Sequence, residues 1–297
     1  MASEHEPPDP LGAAAIAGPG SAFRLLFDDA AETGLALPAA FRAIYPGSWD
    51  LPSRDRPYVY VNFVLSRDGR VSFDEPGHSS GAEISGCSIH DRWLMGLLRA
   101  RADAILMGDN TLRIEPDHVW SAEYIFPDDA DAFAGLRRAE GRAPLPLQVF
   151  LSLEGDVDVG AAAIFAQDST HVVLATTARG AARARELPGT AARLDVLELG
   201  TDSVGIRALL DTLRDAYGVR TVLCEGGPRA YGSVLAAGCL DDEFLTLSPV
   251  VVGSAPGAPR PGLIEGVAFP ARSHPVSRPI SLHRAGDLLF LRSRYVF

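Results

Sequence analysis

Glu225-Gly226-Gly227-Pro228 stands between a short apolar run, Thr221–Cys224, and a helical repeat of Tyr231, Val234, Leu235 and Cys239. A strand that ends in acid-glycine-glycine and turns straight into a helix leaves bare backbone N–H groups at the helix start. Glycines without Cβ atoms then let a phosphate come close. Pro228 fits because the first helical turn has no N–H bond to lose. In an open α/β sheet ligands gather at the carboxyl ends of strands, where Glu225 would sit. A plain strand-to-helix turn reads the same way, so on this motif alone both readings stand.

Two other places repeat the pattern. Gly108-Asp109-Asn110-Thr111 follows the apolar run 102–107, and Thr176-Thr177-Ala178-Arg179 follows the run 170–175, with Arg183 one turn later. Arginine beside hydroxyls suits a phosphate monoester, and it equally suits a capped helix with solvated arginines. Residues 77–86, GHSSGAEISG, form a small, hydroxyl-rich loop able to wrap a polar ligand.

Composition narrows the chemistry. The formal charge of −11 repels nucleic acid and anionic membranes, so a phosphate ligand must be held by local arginines and backbone amides. All 27 basic residues are arginine, which excludes a P-loop lysine, a Schiff-base lysine and a lysine general base. The three cysteines form no Cys-x-x-Cys pair, so neither a disulfide framework nor a metal site is expected. No apolar run reaches the ~18 residues of a membrane span and no signal peptide is evident, which predicts a cytoplasmic protein.

These residues need elements to hold them. The chain reads as an N-terminal extension, 1–56, and a main domain, 57–297. Residues 1–20 are expected to be disordered, Ser21–Tyr45 to carry short helices, and Trp49–Arg56 to be a linker. Strands are predicted at Tyr58–Leu65, Arg70–Phe73, Ala102–Met107, Leu147–Leu151, Thr170–Ala175, Leu194–Leu199, Thr221–Cys224 and Asp242–Leu247, with Pro249–Gly253 continuing the last. Ser281–Ala285 and Leu288–Val296 pair as a C-terminal hairpin across Gly286-Asp287. Helices are expected after Ser88 or Asp91 as cap, over Pro127–Gly141 as an exposed helix bearing Arg137 and Arg138, and over Ser203–Tyr217. Alternating strands and helices spell a three-layer α/β/α fold with a mostly parallel sheet and a C-terminal antiparallel hairpin.

Four blocks carry a resemblance: RPYVYVNFVLSRDGRVS (56–72), LLRARADAILMGDNTLRIEP (97–116), VVLATTAR (172–179) and VLCEGGPRAYGSVLAAGCLDDEFLTLSPVVVG (222–253). In order and spacing they resemble the reductase domain of riboflavin biosynthesis, fused to a deaminase in many bacteria and free-standing in others. The likeness covers Pro57 to Phe297. It implies a dihydrofolate-reductase-like fold, a homodimer, and NADPH-dependent reduction of the ribosyl group of a 5-phosphoribosylaminopyrimidine to ribityl. Carried over by position, Gly108, Thr111, Thr176, Thr177, Gly226 and Gly227 would surround NADPH, with Asn110 where a cradle glycine is expected and Arg179 at the 2′-phosphate. Asn62, Ser79, Ser85, Arg99 and Glu115 would face the substrate, Arg99 and Ser79 near its phosphate. Asp68 and Glu225 are the candidate catalytic carboxylates, Asp68 by bracing the turn beside the nicotinamide. The segment 117–126 lacks the arginine that family members place near the substrate phosphate, and with only 56 residues before the main domain no deaminase half is expected. Reduction of another heterocyclic imine such as a dihydropterin, or non-catalytic NADPH binding, stay open as alternatives.

Overall fold

The computed structural model describes residues 16–31 and 34–297. One ten-stranded sheet runs through it in the order β1-β9-β10-β8-β2-β7-β3-β4-β5-β6. Its strands are β1 (Arg24–Asp28), β2 (Tyr58–Leu65), β3 (Ala104–Gly108), β4 (Leu147–Ser152), β5 (His171–Thr176), β6 (Arg193–Glu198), β7 (Thr221–Cys224), β8 (Asp242–Leu247), β9 (Val276–Ala285) and β10 (Leu288–Val296). From β8 through β6 every neighbouring pair is parallel, while β10, β9 and β1 add antiparallel at one edge. The central strands are buried on both faces, as parallel strands flanked by helices must be, and so read as continuous apolar runs.

The helices are α1 (Ala39–Ile44), α2 (Ile89–Ala100), α3 (Asp109–Ile114), α4 (Ala122–Ile125), α5 (Ala130–Ala139), α6 (Ala178–Ala184), α7 (Ile206–Tyr217) and α8 (Pro228–Ala236). One face of the sheet packs Leu209, Leu213, Tyr231 and Val234 of α7 and α8 against Val59, Val61, Leu106 and Val222. The other packs Trp93, Leu97 and Leu98 of α2 and Phe133 of α5 against Tyr60, Ile105 and Leu223. The three layers expected from the sequence are present.

Several local expectations change. Among the described residues of Ser21–Tyr45 there is one helix, α1. Arg24–Asp28 is instead a strand, because β9 offers an open edge and Phe23 anchors it in an aromatic cluster with Tyr45, Trp93 and Phe290. The expected disorder over 1–20 falls mostly outside the described residues; within them, the Ala17 and Gly18 N–H groups donate to the buried Asp129 carboxylate at 2.6 and 2.9 Å. Phe23, Leu37, Phe41, Tyr45, Trp49 and Leu51 all belong to the main core.

Arg70–Phe73 makes one bridge, Arg70 to Gly262, and no strand. Pro249–Gly253 is loop. The helix expected to be exposed, α5, buries Phe133, Leu136 and Arg137. Arg137 Nη1 donates to the carbonyls of Arg99, Ala100 and Ala102, adding a cationic donor at the end of α2. Ser88, not Asp91, caps α2.

Candidate active site

The parallel strands end along one line, and the neighbouring ends of β2, β7, β3, β4 and β5 bring most of the expected residues together. The register Val61 to Cys224 sets Asn62 beside Glu225. The Glu225 and Gly226 N–H groups both donate to Leu106 O, which joins β7 to β3 beyond the last ladder pair. A Cβ on Gly226 would lie 2.8 Å from Gly108 N and 2.7 Å from Ala230 Cβ, so only glycine allows these two strand ends to close on each other. A Cβ on Gly108 or Gly227 would meet nothing within 4 Å. The backbone at both positions therefore borders open space at the carboxyl edge.

Arg99 is the centre of the site. From the last turn of α2 its Nε donates to Glu225 Oε2 at 2.8 Å, and its Nη1 donates to His118 Nε2 at 3.0 Å and to Ser121 O at 3.3 Å. Glu225 is buried, which raises its carboxyl pKa against the lowering effects of Arg99 and Asn62; the Asp91 charge adds to the rise. Its Oε1 is buried and makes no well-formed hydrogen bond, with the Asn62 side chain near enough to act on the carboxylate. Glu115 Oε2 faces His118 Nδ1 at 3.4 Å. Burial raises the Glu115 pKa too, with Arg99 opposing and Glu225 reinforcing the shift. Burial and the Arg99 charge hold His118 down at about 3, so its ring is neutral.

Ser85 joins this group through Asp91: its hydroxyl lies between the Ala82 carbonyl and the Asp91 carboxyl, which also accepts from Thr246 Oγ1 at 2.6 Å. Asn62, Arg99, Glu115 and Glu225 thus stand together around His118, and Ser85 is tied to them only through the Asp91 charge that acts on Glu225. Arg99 is largely spent inward, and the phosphate contact expected of it has only Nη2 left to make it.

Other expected residues turn elsewhere. Ser79 donates to Glu75 O within its own loop. Asp68 accepts from Ser66 Oγ, Val252 N and Gly253 N at 2.8–2.9 Å, and these donors hold its pKa down at about 2. It stays ionised near neutral pH with no proton to give, so its part is to brace the turn. Thr177 caps α6 by accepting from Gly180 N and donates to Leu153 O, which uses its hydroxyl. The Thr176 hydroxyl is buried against Gly180. What this junction turns outward is backbone and Arg179, an exposed guanidinium paired with Glu154. Asn110 is exposed and Thr111 half-buried in α3. With six and seven residues, α3 and α6 are too short to lend much dipole, and of the three junctions α8 makes the longest helix.

His118 and Asp91 were missed as site residues. Nothing in periodicity marks His118; the one signal was that its segment departs from the arginine-bearing pattern. Asp91 was read only as a helix cap.

A shallow groove of about 530 Å³ lies at the other end of the sheet and is lined by Ser53, Arg54, Asp55, Arg56 and Arg214. Its arginines are already tied to Asp241, Asp211 and Asp215. Among the described residues no helix is long and apolar enough to cross a membrane.

Comparison with known proteins bears on this geometry. The model of the RibD C-terminal domain matches residues 57–276. A 2,5-diamino-6-ribosylamino-4(3H)-pyrimidinone 5′-phosphate reductase of Archaeoglobus fulgidus is 28% identical over 216 residues, covering 72% of this chain and 89% of that protein. Among solved structures, a pyrimidine reductase-like protein from Corynebacterium diphtheriae superposes with a TM-score of 0.60 at 20% identity, over 81% of this chain and 92% of its own. The riboflavin biosynthesis reductase Rib7 of Saccharomyces cerevisiae gives 0.54 at 14% identity, over 83% and 93%. The fold is thus dihydrofolate-reductase-like, with a mostly parallel sheet and antiparallel C-terminal strands. By its family match, its fold and its relatives, the chain belongs to the RibD C-terminal domain family, the pyrimidine reductases of the riboflavin pathway.

Proposed function

We propose that the protein is an NADPH-dependent reductase that converts the ribosyl group of a 5-phosphoribosylaminopyrimidine to ribityl. The observation that carries this reading is the buried Arg99–Glu225 pair beside Asn62, set next to the open backbone of Gly108 and Gly227. A dinucleotide fits that edge because no Cβ fills it at Gly108 and Gly227: these two, with Thr111, would hold NADPH from two neighbouring strand ends, which Gly226 lets close on each other. Asn110 and the backbone at Thr176 and Thr177 would extend that hold, with Arg179 swinging from Glu154 to the 2′-phosphate. When bound, NADPH supplies the hydride. The chain's own residues orient and neutralise: Asn62 and Oε1 of Glu225 face the substrate, Arg99 fixes the Glu225 carboxylate, and Asp68 locks the turn after β2. A homodimer working in the cytoplasm completes this reading.

One observation favours a second reading, reduction of a heterocycle that lacks the phosphate: most of the Arg99 hydrogen-bonding capacity is turned inward. NADPH oxidation followed by absorbance separates the two. Turnover of a phosphoribosylaminopyrimidine, deaminated or not, with weak activity on dihydrofolate, is the expected result. Saturable NADPH binding without turnover of either ribosylamino compound overturns the substrate half of the proposal.

A further inference from the structure

His118 lies between the two carboxyl groups of the site and is not explained by cofactor or substrate binding. An arginine has no acceptor, so the Arg99 Nη1 contact at 3.0 Å requires His118 Nε2 to be the bare nitrogen. A neutral imidazole has one N–H, which is then on Nδ1 and faces Glu115 Oε2 at 3.4 Å. The rings of Trp120 and Tyr124, with centroids 4.8 and 4.5 Å away, pack against the imidazole and hold its plane. The hydrogen bonds along His118–Arg99–Glu225 therefore have one direction, and the Nδ1–H is left turned toward Glu115. Glu225 Oε2 receives a full cationic N–H, whereas Glu115 Oε2 has only a neutral N–H near it, at 3.4 Å and short of a hydrogen bond. A proton on Glu225 must sit on its other oxygen, Oε1, and on Glu115 it is best placed on Oε1, away from the Nδ1–H.

We propose that His118 is a positioning residue whose neutral imidazole, with its proton fixed on Nδ1, separates the two carboxyls so that Glu225 keeps the negative charge and Glu115 holds the transferable proton. Burial pushes both carboxyls up, Glu225 with the Asp91 charge adding and Glu115 with the Glu225 charge adding, but only Glu225 has the direct Arg99 contact at 2.8 Å to hold its negative charge. The inference rests on the reductase reading for its use. Reducing a ribosylamine breaks the C1′–O4′ bond, with its electron pair leaving on O4′. C1′ gains a hydride from the reduced nicotinamide dinucleotide, and O4′ must gain one proton. Glu115 Oε1 supplies that proton and regains it from water, since about a third of its side chain is exposed.

Two measurements on the full chain test it. In ¹⁵N-histidine NMR of the ligand-free protein, the resonance that disappears in His118→Gln should show the Nδ1–H tautomer and stay neutral down to about pH 4. An Nε2–H tautomer, or ordinary titration near the usual histidine value, overturns the proposal. Carboxyl ¹³C NMR should show the Glu115 titration displaced in His118→Leu and close to native in His118→Gln, whose amide can accept from Arg99 and donate to Glu115. With substrate, the Leu variant should lose about a hundredfold in kcat, with an altered pH profile and unchanged KM for NADPH, and Gln should restore most of it. Equal behaviour of Leu and Gln overturns the inference while leaving the reductase reading intact. If no ribosylamino compound is turned over, the functional reading falls and the two NMR results still decide the tautomer and the proton.

Discussion

Removing the Arg99 guanidinium would leave the Glu225 carboxyl buried with no cation against it, the costly half of a buried ion pair. Arg99→Leu is expected to destabilise the protein by about 3–5 kcal/mol at neutral pH, measured by urea unfolding, and Glu225→Gln in the same chain to recover part of that. The pH dependence has a definite sign. An unpaired Glu225 has a folded pKa still higher than its already raised one, so the folded state binds a proton that the unfolded chain releases near the ordinary glutamate value. Its penalty is largest at high pH and shrinks as pH falls toward that value. A loss that is flat across this range would show that Glu225 is not the group left exposed. Arg99, Glu225 and Asn62 were legible in the sequence as members of recognisable blocks. Their mutual bonds were not, because Arg99 and Glu225 are 126 residues apart and a guanidinium looks the same whether it meets a phosphate or a carboxylate. Thr176 and Thr177 show the same limit: hydroxyls at a strand end read as ligand donors until packing turns them inward.

At the scale of elements, the turn after β2 and the loop after β8 act as one piece through Asp68. Pro249–Gly253 is rich in valine and reads as strand, yet its N–H groups go to side chains: Val250 to Ser248 Oγ, Val252 and Gly253 to Asp68. With its donors spent, the segment has no ladder to join. Asp68→Asn should raise amide exchange at Val252 and Gly253 by about tenfold while leaving the β8 amides unchanged. The Asp68 folded pKa is depressed, to about 2 from 3.8, so its contribution is complete above pH 3.8 and is lost as pH falls through about 2. The native chain should lose protection in this loop over that window, and the Asn variant should show no such step. Strands 58–65, 221–224 and 242–247 were readable because β-branched and aromatic runs end sharply at breakers. Strand 24–28 was not, because adjacent Leu25, Leu26 and Phe27 break the alternation and an edge strand is only half buried.

For the molecule as a whole, the family match covers 57–276, whereas the sheet extends beyond it on both sides. Strand β10 lies between β8 and β9, and β1 lies outside β9. The residues before 57 bury Phe23, Leu37, Phe41, Tyr45, Trp49 and Leu51 in the main core. At about 1.5–3 kcal/mol for each large side chain, their loss totals roughly 9–18 kcal/mol, as much as the ~5–15 kcal/mol by which a domain is stable. A chain beginning at Pro57 should therefore show no cooperative thermal transition by circular dichroism. A native-like melting curve from that chain would mean the arm is an ornament on a finished core.

The placement of β1 also sets a schedule. Asp28 pairs with Ser281, and the intervening stretch of roughly 250 residues takes on the order of ten seconds to a minute to synthesise at ~5–20 residues per second. A strand made early thus waits for a partner made late. Until then Leu25, Leu26 and Phe27 wait in the open, where a chaperone, or a neighbouring nascent chain, meets them before their own partner exists.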